Sequence, residues 1–261
     1  MSYTGKSPSE TYKDLLYVDN NNGGVDSTKR AVKTGNGEST SMILSDRGLT
    51  LQSSTDNTGL LEVKNAAGAS KLTVDSTNNQ VKALGTHVNT MYAHFAVESA
   101  ESTNYAANTH YAIPFNGNTN PNTVQPPDIG TGTDPDTTFT TAEANSQRAS
   151  NLQTCLWYVP DNISIDAVYS LEGADTATGD TTRMHLFSYT FTSGSTSALA
   201  DGTLLAHNSD VTNAGSEQAY KSTWTVDSAN VDANKVILAF FEADSVNSDY
   251  SVNIRVKYHL R

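Results

Sequence analysis

The chain has a single cysteine, Cys155, which excludes an intrachain disulfide and a cysteine-rich zinc cluster. Basic residues are also scarce, because 16 Lys and Arg stand against 28 Asp and Glu and give a net charge of -12. These basic residues are scattered along the chain. Nucleic-acid binding requires a clustered basic surface, so nucleic acid is not expected as a partner.

Long hydrophobic runs are missing as well. No segment approaches the length of consecutive apolar residues that a transmembrane helix requires, so membrane insertion is not expected. The N-terminal stretch MSYTGKSPSETYKD lacks the apolar core of a signal peptide. We therefore expect the protein to be made and folded in a cytosol.

The common catalytic and cofactor motifs are absent from the sequence. It contains no GxSxG, no Walker loop and no GxGxxG between a predicted strand and a helix. Its six histidines lack metal-ligand spacing such as HxxxH, so no metal and no cofactor is expected. The sequence therefore favours a protein that is not an enzyme.

Ser, Thr and Asn are abundant and together make up 86 of the 261 residues. Thr favours strands and Asn favours turns, whereas long runs of helix-forming residues are missing. This composition predicts an all-β protein with much of its chain in loops. The first 45 residues are irregular, with a plausible hairpin between Lys29–Val32 and Met42–Leu44.

Residues 46–89 contain four apolar-x-apolar pairs separated by polar turns: Leu49/Leu51, Leu61/Val63, Leu72/Val74 and Val81/Ala83. Hairpins of such short strands are marginal alone. One interpretation is a small meander that packs against the rest of the same chain. The other is that three copies complete a shared core around one axis. This second interpretation assigns seven residues to trimerisation: Leu49, Leu51, Leu61, Val63, Leu72, Val74 and Val81.

The longer strands begin at residue 90 and predict a β-sandwich or jelly roll. Val236–Glu242 is apolar almost throughout, which predicts a central strand covered on both faces. Apolar and polar residues alternate along Tyr250–Leu260, so Arg255 and Lys257 are expected to face outward and Leu260 inward. The polar loop 116–138 is either solvated or an arm that contacts a neighbouring subunit.

The head sequence SPSETYKDLLYVDNNNGGVDSTKRAVKTGNGESTSMILS resembles the N-terminal segment of fibre-like virion proteins from tailed bacteriophages, particularly marine ones. In that family, a TYKDLL-x-VDN-x-N-x-GVD stretch precedes a short strand-turn region and a variable C-terminal module. The segment LTVDSTNNQVKALGT resembles the VD-x-x-NN-x-V-x-x-x-GT element of phage fibre shafts, where chains trimerise. The part from TCLWYVP to VKYHL is similar to a C-terminal β-sandwich on such proteins.

The resemblance implies a virion structural protein, a homotrimer assembled in the host cytoplasm and anchored to capsid or tail proteins by its N-terminus. The short shaft favours a capsid decoration protein or head fibre over a long tail fibre. Residues 1–45 would attach to the virion, 46–89 would form the trimeric β-shaft, and 90–261 would form the displayed jelly-roll-like β-sandwich. The implied attachment residues are Tyr12, Leu15, Leu16, Tyr17 and Val18.

Two other functions remain open at this point. The sandwich could be the receptor-binding module of a tail fibre, with a host surface glycan as its partner. Such a module would use exposed aromatic residues, and five tyrosines fall outside the predicted inward-facing sets: Tyr92, Tyr105, Tyr111, Tyr158 and Tyr220. The third interpretation is a polysaccharide depolymerase, which would need a cleft with two carboxylates at hydrolytic spacing.

Overall fold

The structure, a computed structural model, describes residues 13, 15–21, 23–98, 106–117, 127–131, 135, 137–141, 148–174, 178–215, 218–244 and 250–261. Of these residues, 56% lie in strands and 3% are helical, which confirms the all-β prediction. Among them we find no helix with the length and hydrophobicity that a bilayer crossing requires. The chain divides into two compact units, Met1–Val88 and Asn89–Arg261.

The N-terminal unit contains two antiparallel sheets of four strands each, and in both sheets each strand pairs with the next one along the chain. The first sheet comprises β1 (Leu16–Val18), β2 (Arg30–Thr34), β3 (Ser39–Ser45) and β4 (Gly48–Leu51). The second comprises β5 (Leu61–Lys64), β6 (Ser70–Asp75), β7 (Gln80–Ala83) and β8 (Thr86–His87). The predicted boundary at residue 45 falls between β3 and β4, which pair with each other.

Short polar turns set the register of these sheets. Between β6 and β7, the Asp75 carboxylate accepts hydrogen bonds from the backbone N–H of Asn78, at 3.0 Å, and from its side-chain amide, at 2.7 Å. Asn79 then adopts φ 54°, a left-handed conformation that Asn tolerates better than most residues. This local chemistry turns the chain back within four residues and aligns Val74 with Val81.

The C-terminal unit is built from two larger antiparallel sheets. The strands of the larger sheet are β10 (Thr109–Ile113), β11 (Asp128–Thr131), β12 (Thr138–Phe139), β13 (Leu156–Val159), β15 (Thr181–Thr190), β16 (Gly202–His207), β17 (Val211–Thr212), β19 (Thr225–Val226) and β21 (Lys235–Ala243). The strands of the smaller sheet are β9 (Thr90–Glu98), β14 (Ile163–Ala174), β18 (Gln218–Thr223), β20 (Asn230–Val231) and β22 (Tyr250–Leu260). Two short 3-10 turns, Ala149–Asn151 and Gln153–Cys155, precede β13.

The main core lies between these two sheets and includes Phe95, Val168, Leu186, Ile254 and Val256. A second core covers the other face of the larger sheet, where Phe187, Tyr189 and Phe240 pack against residues of the 3-10 turns. Strand β21 is therefore buried from Val236 to Ala243, as the sequence predicts. The jelly-roll topology stays a prediction, and most of the loop 116–138 lies outside the described residues.

Candidate functional site

The second sheet of the N-terminal unit has one apolar side. Direct cross-strand pairing places six residues in two rows, Leu61–Val74–Val81 and Val63–Leu72–Ala83. Residues directly opposite each other on neighbouring antiparallel strands point to the same side of a sheet. We call this set the apolar face. It brings together five of the seven predicted trimerisation residues, and Ala83 joins them although it was left out of the predicted set.

The apolar face remains accessible to solvent. Leu61 is 37% exposed, Val63 is 49% exposed and Val81 is 39% exposed. Among the described residues of Met1–Val88, Val32 and Ser45 are the only buried ones. A sheet of this size needs a packed apolar layer for independent stability. The described residues of this unit do not supply one.

The opposite side of the same sheet is polar. Glu62, Thr73 and Lys82 lie opposite one another on β5, β6 and β7. The Glu62 carboxylate accepts a hydrogen bond from Ser70 Oγ at 3.1 Å and pairs with Lys64 Nζ at 2.6 Å. The sheet is therefore amphipathic, with one side suited to water and the other to burial.

Leu49 and Leu51, the other two predicted trimerisation residues, lie on the first sheet. They stand opposite Leu44 and Met42 on β3, not opposite any residue of the apolar face. Leu49 is 58% exposed, whereas Leu51 is only partly exposed. The four apolar pairs therefore look alike in the sequence but belong to two different sheets.

Four of the five predicted attachment residues lie on or beside the edge strand β1. Leu15, Leu16 and Tyr17 are 41%, 58% and 43% exposed, and together with Val18 they line a groove of about 750 Å³. Tyr12 lies outside the described residues. The strand is held in the sheet by pairing with β2, and Lys33 Nζ forms a 2.7 Å ion pair with Asp19.

The C-terminal unit has a polar depression of about 330 Å³ beside β16. Its lining includes His207 and Asp227, whose Nδ1 and Oδ2 atoms lie 2.8 Å apart. Asp210 also lines it and accepts a hydrogen bond from Arg183 Nε at 3.2 Å. Both carboxylates are engaged by a basic side chain. This arrangement suits a structural role better than the pair of freely acting carboxylates that glycoside hydrolysis requires.

Two buried ionisable groups lie deeper in the sandwich. Burial lowers the pKa of His185 to about 3, with smaller effects from His110, His207 and Arg183. Burial also raises the pKa of Glu172 to about 7. Its Oε1 accepts a hydrogen bond from Ser222 Oγ at 2.9 Å.

The five tyrosines considered for glycan contact are in different environments. Tyr92 and Tyr158 are 63% and 55% exposed, whereas Tyr111 is buried in the main core, which agrees with a packing role and excludes it from glycan contact. Tyr220 is partly exposed, and Tyr105 lies outside the described residues. Comparison of the chain with protein-family models and with curated proteins gives no significant match.

Proposed function

We propose that the protein is a non-enzymatic structural protein of a bacteriophage virion, a fibre-like homotrimer with a displayed C-terminal β-sandwich. The observation that carries this proposal is the exposed apolar face of Leu61, Val63, Leu72, Val74, Val81 and Ala83. Full burial of a Val or Leu side chain contributes about 1.5–3 kcal/mol. Self-association is the direct way for a sheet without its own core to gain that free energy.

Three copies are favoured over two by the resemblance of LTVDSTNNQVKALGT to the trimeric shafts of phage fibres. The exposed strand β1 and its groove support attachment to the virion through Leu15, Leu16, Tyr17 and Val18. A compact unit of two small sheets suits a capsid decoration protein or head fibre. A receptor-binding tail fibre is the second candidate, favoured by the exposure of Tyr92 on the sandwich.

The solution mass of the purified full chain tests the trimer. We expect three times the 27.9 kDa chain mass by light scattering. Leu72→Asp should yield monomers or aggregates, because it places a charge in the centre of the apolar face. Thr73→Asp is the matched control, since it adds the same charge on the polar side of the same strand.

A monomeric wild-type chain would contradict the proposal. So would an equal loss of association in the Leu72→Asp and Thr73→Asp variants, because that result would trace the effect to strand disruption. A trimer that survives Leu72→Asp would show that association uses another surface.

A further inference from the structure

We propose that the outer side of the smaller sheet in the C-terminal unit binds a carboxylated polysaccharide. Three rows of side chains cross this side, and we call them the outer face. The rows are Tyr92–Lys257–Ala167, His94–Arg255–Tyr169–Thr223 and Ala96–Asn253–Leu171–Lys221. The alternate residues of the same strands, such as Phe95, Val168 and Ile254, point into the main core.

Large apolar and aromatic side chains are exposed on the outer face. Tyr92 is 63% exposed, Leu171 is 59% exposed and Tyr169 is 41% exposed. Tyr92 and Tyr169 stand on strands that are separated by β22 alone and in neighbouring rows, so about 10 Å divides them across the sheet and about 7 Å along it. A sandwich with two filled cores has no packing need for these residues on its surface. Exposed clusters of this kind mark interaction sites.

The outer face is basic although the protein is strongly acidic. It carries Lys221, Arg255 and Lys257. The carboxylates nearest to these rows in the register are Glu98, in the next row along the sheet, and Asp166, which stands at the bulge beside Ala167 and lies 2.9 Å from His259 Nδ1. Within the described part of the chain, none of these three cations forms an ion pair, in contrast to Arg183 and Arg261. Three unneutralised cations on one side of a sheet attract an anionic partner.

His94 adds a polar group without charge to the outer face. Burial, followed by the positive charge of Arg255, lowers the pKa of His94, so the imidazole is neutral near pH 7. Its Nε2 atom is buried and has no hydrogen-bond partner among the described residues.

The chemistry of the outer face selects the class of ligand. Arg255 can bind a carboxylate through two parallel hydrogen bonds. Tyrosine combines an apolar ring with a hydroxyl group, which matches the apolar faces and hydroxyl rims of sugar rings. An open, flat surface suits an extended polymer. A nucleic acid is also a polyanion and the net charge of -12 opposes both polymers alike, so the preference for carboxylates and sugar rings is tested directly against a nucleic acid.

This inference deepens the proposed function by naming a ligand for the displayed unit, but binding at the outer face does not require the trimer. The test uses the full chain and three polymers at low ionic strength: polygalacturonate, neutral dextran and poly-deoxythymidine. We expect polygalacturonate to bind, and dextran and poly-deoxythymidine to bind at least about tenfold more weakly. The solution mass of the same samples reports on the trimer separately.

Two comparisons between variants locate the site. The double variant Arg255→Gln/Lys257→Gln should weaken polygalacturonate binding by about tenfold or more. Lys235→Gln, which removes a charge from the larger sheet, should change it by less than about twofold. Tyr92→Ala should weaken binding, and Tyr158→Ala, which removes a tyrosine that is also mostly exposed but lies on the larger sheet, should not.

Several results would overturn the inference. These are no binding of polygalacturonate, equal weakening by Lys235→Gln and by the double variant, or tighter binding of poly-deoxythymidine. The last result would identify the outer face as a nucleic-acid surface. Unchanged tryptophan fluorescence of the variants would verify that the sandwich is intact, because both tryptophans, Trp157 and Trp224, are buried in it.

Discussion

Leu72 on β6 lies directly opposite Val63 on β5, and Val63 nevertheless remains 49% exposed. Pairing within the sheet aligns these side chains without covering them, since cross-strand neighbours lie side by side. Only a second layer can remove them from water. The stability of the N-terminal unit is therefore expected to depend on what packs against the apolar face.

The first prediction is that the N-terminal unit melts at a temperature that depends on protein concentration. Association stabilises the folded state by mass action, so the transition should rise over a roughly hundredfold range of concentration. Far-UV circular dichroism detects the strands of both units. Tryptophan fluorescence detects the C-terminal unit alone, because Trp157 and Trp224 both lie there.

Variants on the two sides of the β5–β8 sheet make this prediction specific. Val74→Asp on the apolar face should lower the melting temperature of the N-terminal unit and remove its dependence on protein concentration. Lys82→Asp on the polar side should leave the concentration dependence in place. A transition that is independent of concentration in the wild-type chain would show that the sheet is stable without association.

The second prediction concerns Glu172, which is 5% exposed and has a pKa raised to about 7 by burial. The Glu172 carboxyl group therefore binds its proton more tightly in the folded state than in the unfolded state. The stability that this difference contributes is fully present below about pH 4.5. It is lost as the pH rises through about 7. A shift of this size corresponds to about 3 kcal/mol.

Glu172→Gln isolates this contribution, because the amide keeps a polar group beside Ser222 and cannot ionise. The variant should gain stability relative to wild type between pH 5 and pH 8, measured by urea unfolding. Trp224 reports on the same region, since its Nε1 donates to Ser170 Oγ at 3.0 Å. A constant difference between the two proteins across this range would contradict the raised pKa.

The third prediction concerns His185, whose pKa burial lowers to about 3. His185 is protonated below about pH 6.5 in the unfolded state but only below about pH 3 in the folded state. The free energy of unfolding therefore falls as the pH drops from about 6.5 toward 3. This effect opposes that of Glu172. His185→Phe keeps a ring beside Phe240, whose centroid lies 5.4 Å away. The variant should lose less stability than wild type between pH 7 and pH 4 in urea unfolding, and an equal loss would refute the assignment.

The long strands of the sandwich could be predicted from the sequence, because the alternation of apolar and polar residues shows which side of each strand faces the core. Strand β22 covers Tyr250–Leu260 as expected, with Arg255 and Lys257 outward. Its end is the exception, because Leu260 is 40% exposed whereas His259 is buried beside Asp166 at 2.9 Å. Strand β10 was missed, since all five of its residues are buried and no alternation marks it.

The candidate surfaces were harder to predict, because they depend on which strands pair. The tight turn at Asp46 and Arg47 folds β4 back onto β3, which separates Leu49 and Leu51 from the later pairs. The positions of the apolar pairs in the sequence do not indicate whether Leu49 and Leu51 share a sheet with the later pairs. The outer face likewise combines residues from β9, β14, β18 and β22, and no local pattern indicates that these strands are neighbours.

The fourth prediction concerns the close approach of Gly202 to Tyr189. A methyl group at Gly202 would overlap the ring of Tyr189, which is 1% exposed and packed in the second core. Overpacking of a filled core costs about 1–3 kcal/mol, so Gly202→Ala should lower the free energy of unfolding by that amount. Gly173→Ala is the control, because its added methyl would meet its nearest atom, the Gln218 carbonyl oxygen, at 3.6 Å. Urea unfolding followed by tryptophan fluorescence measures both variants, and equal stability of the two would show that Tyr189 can move aside without cost.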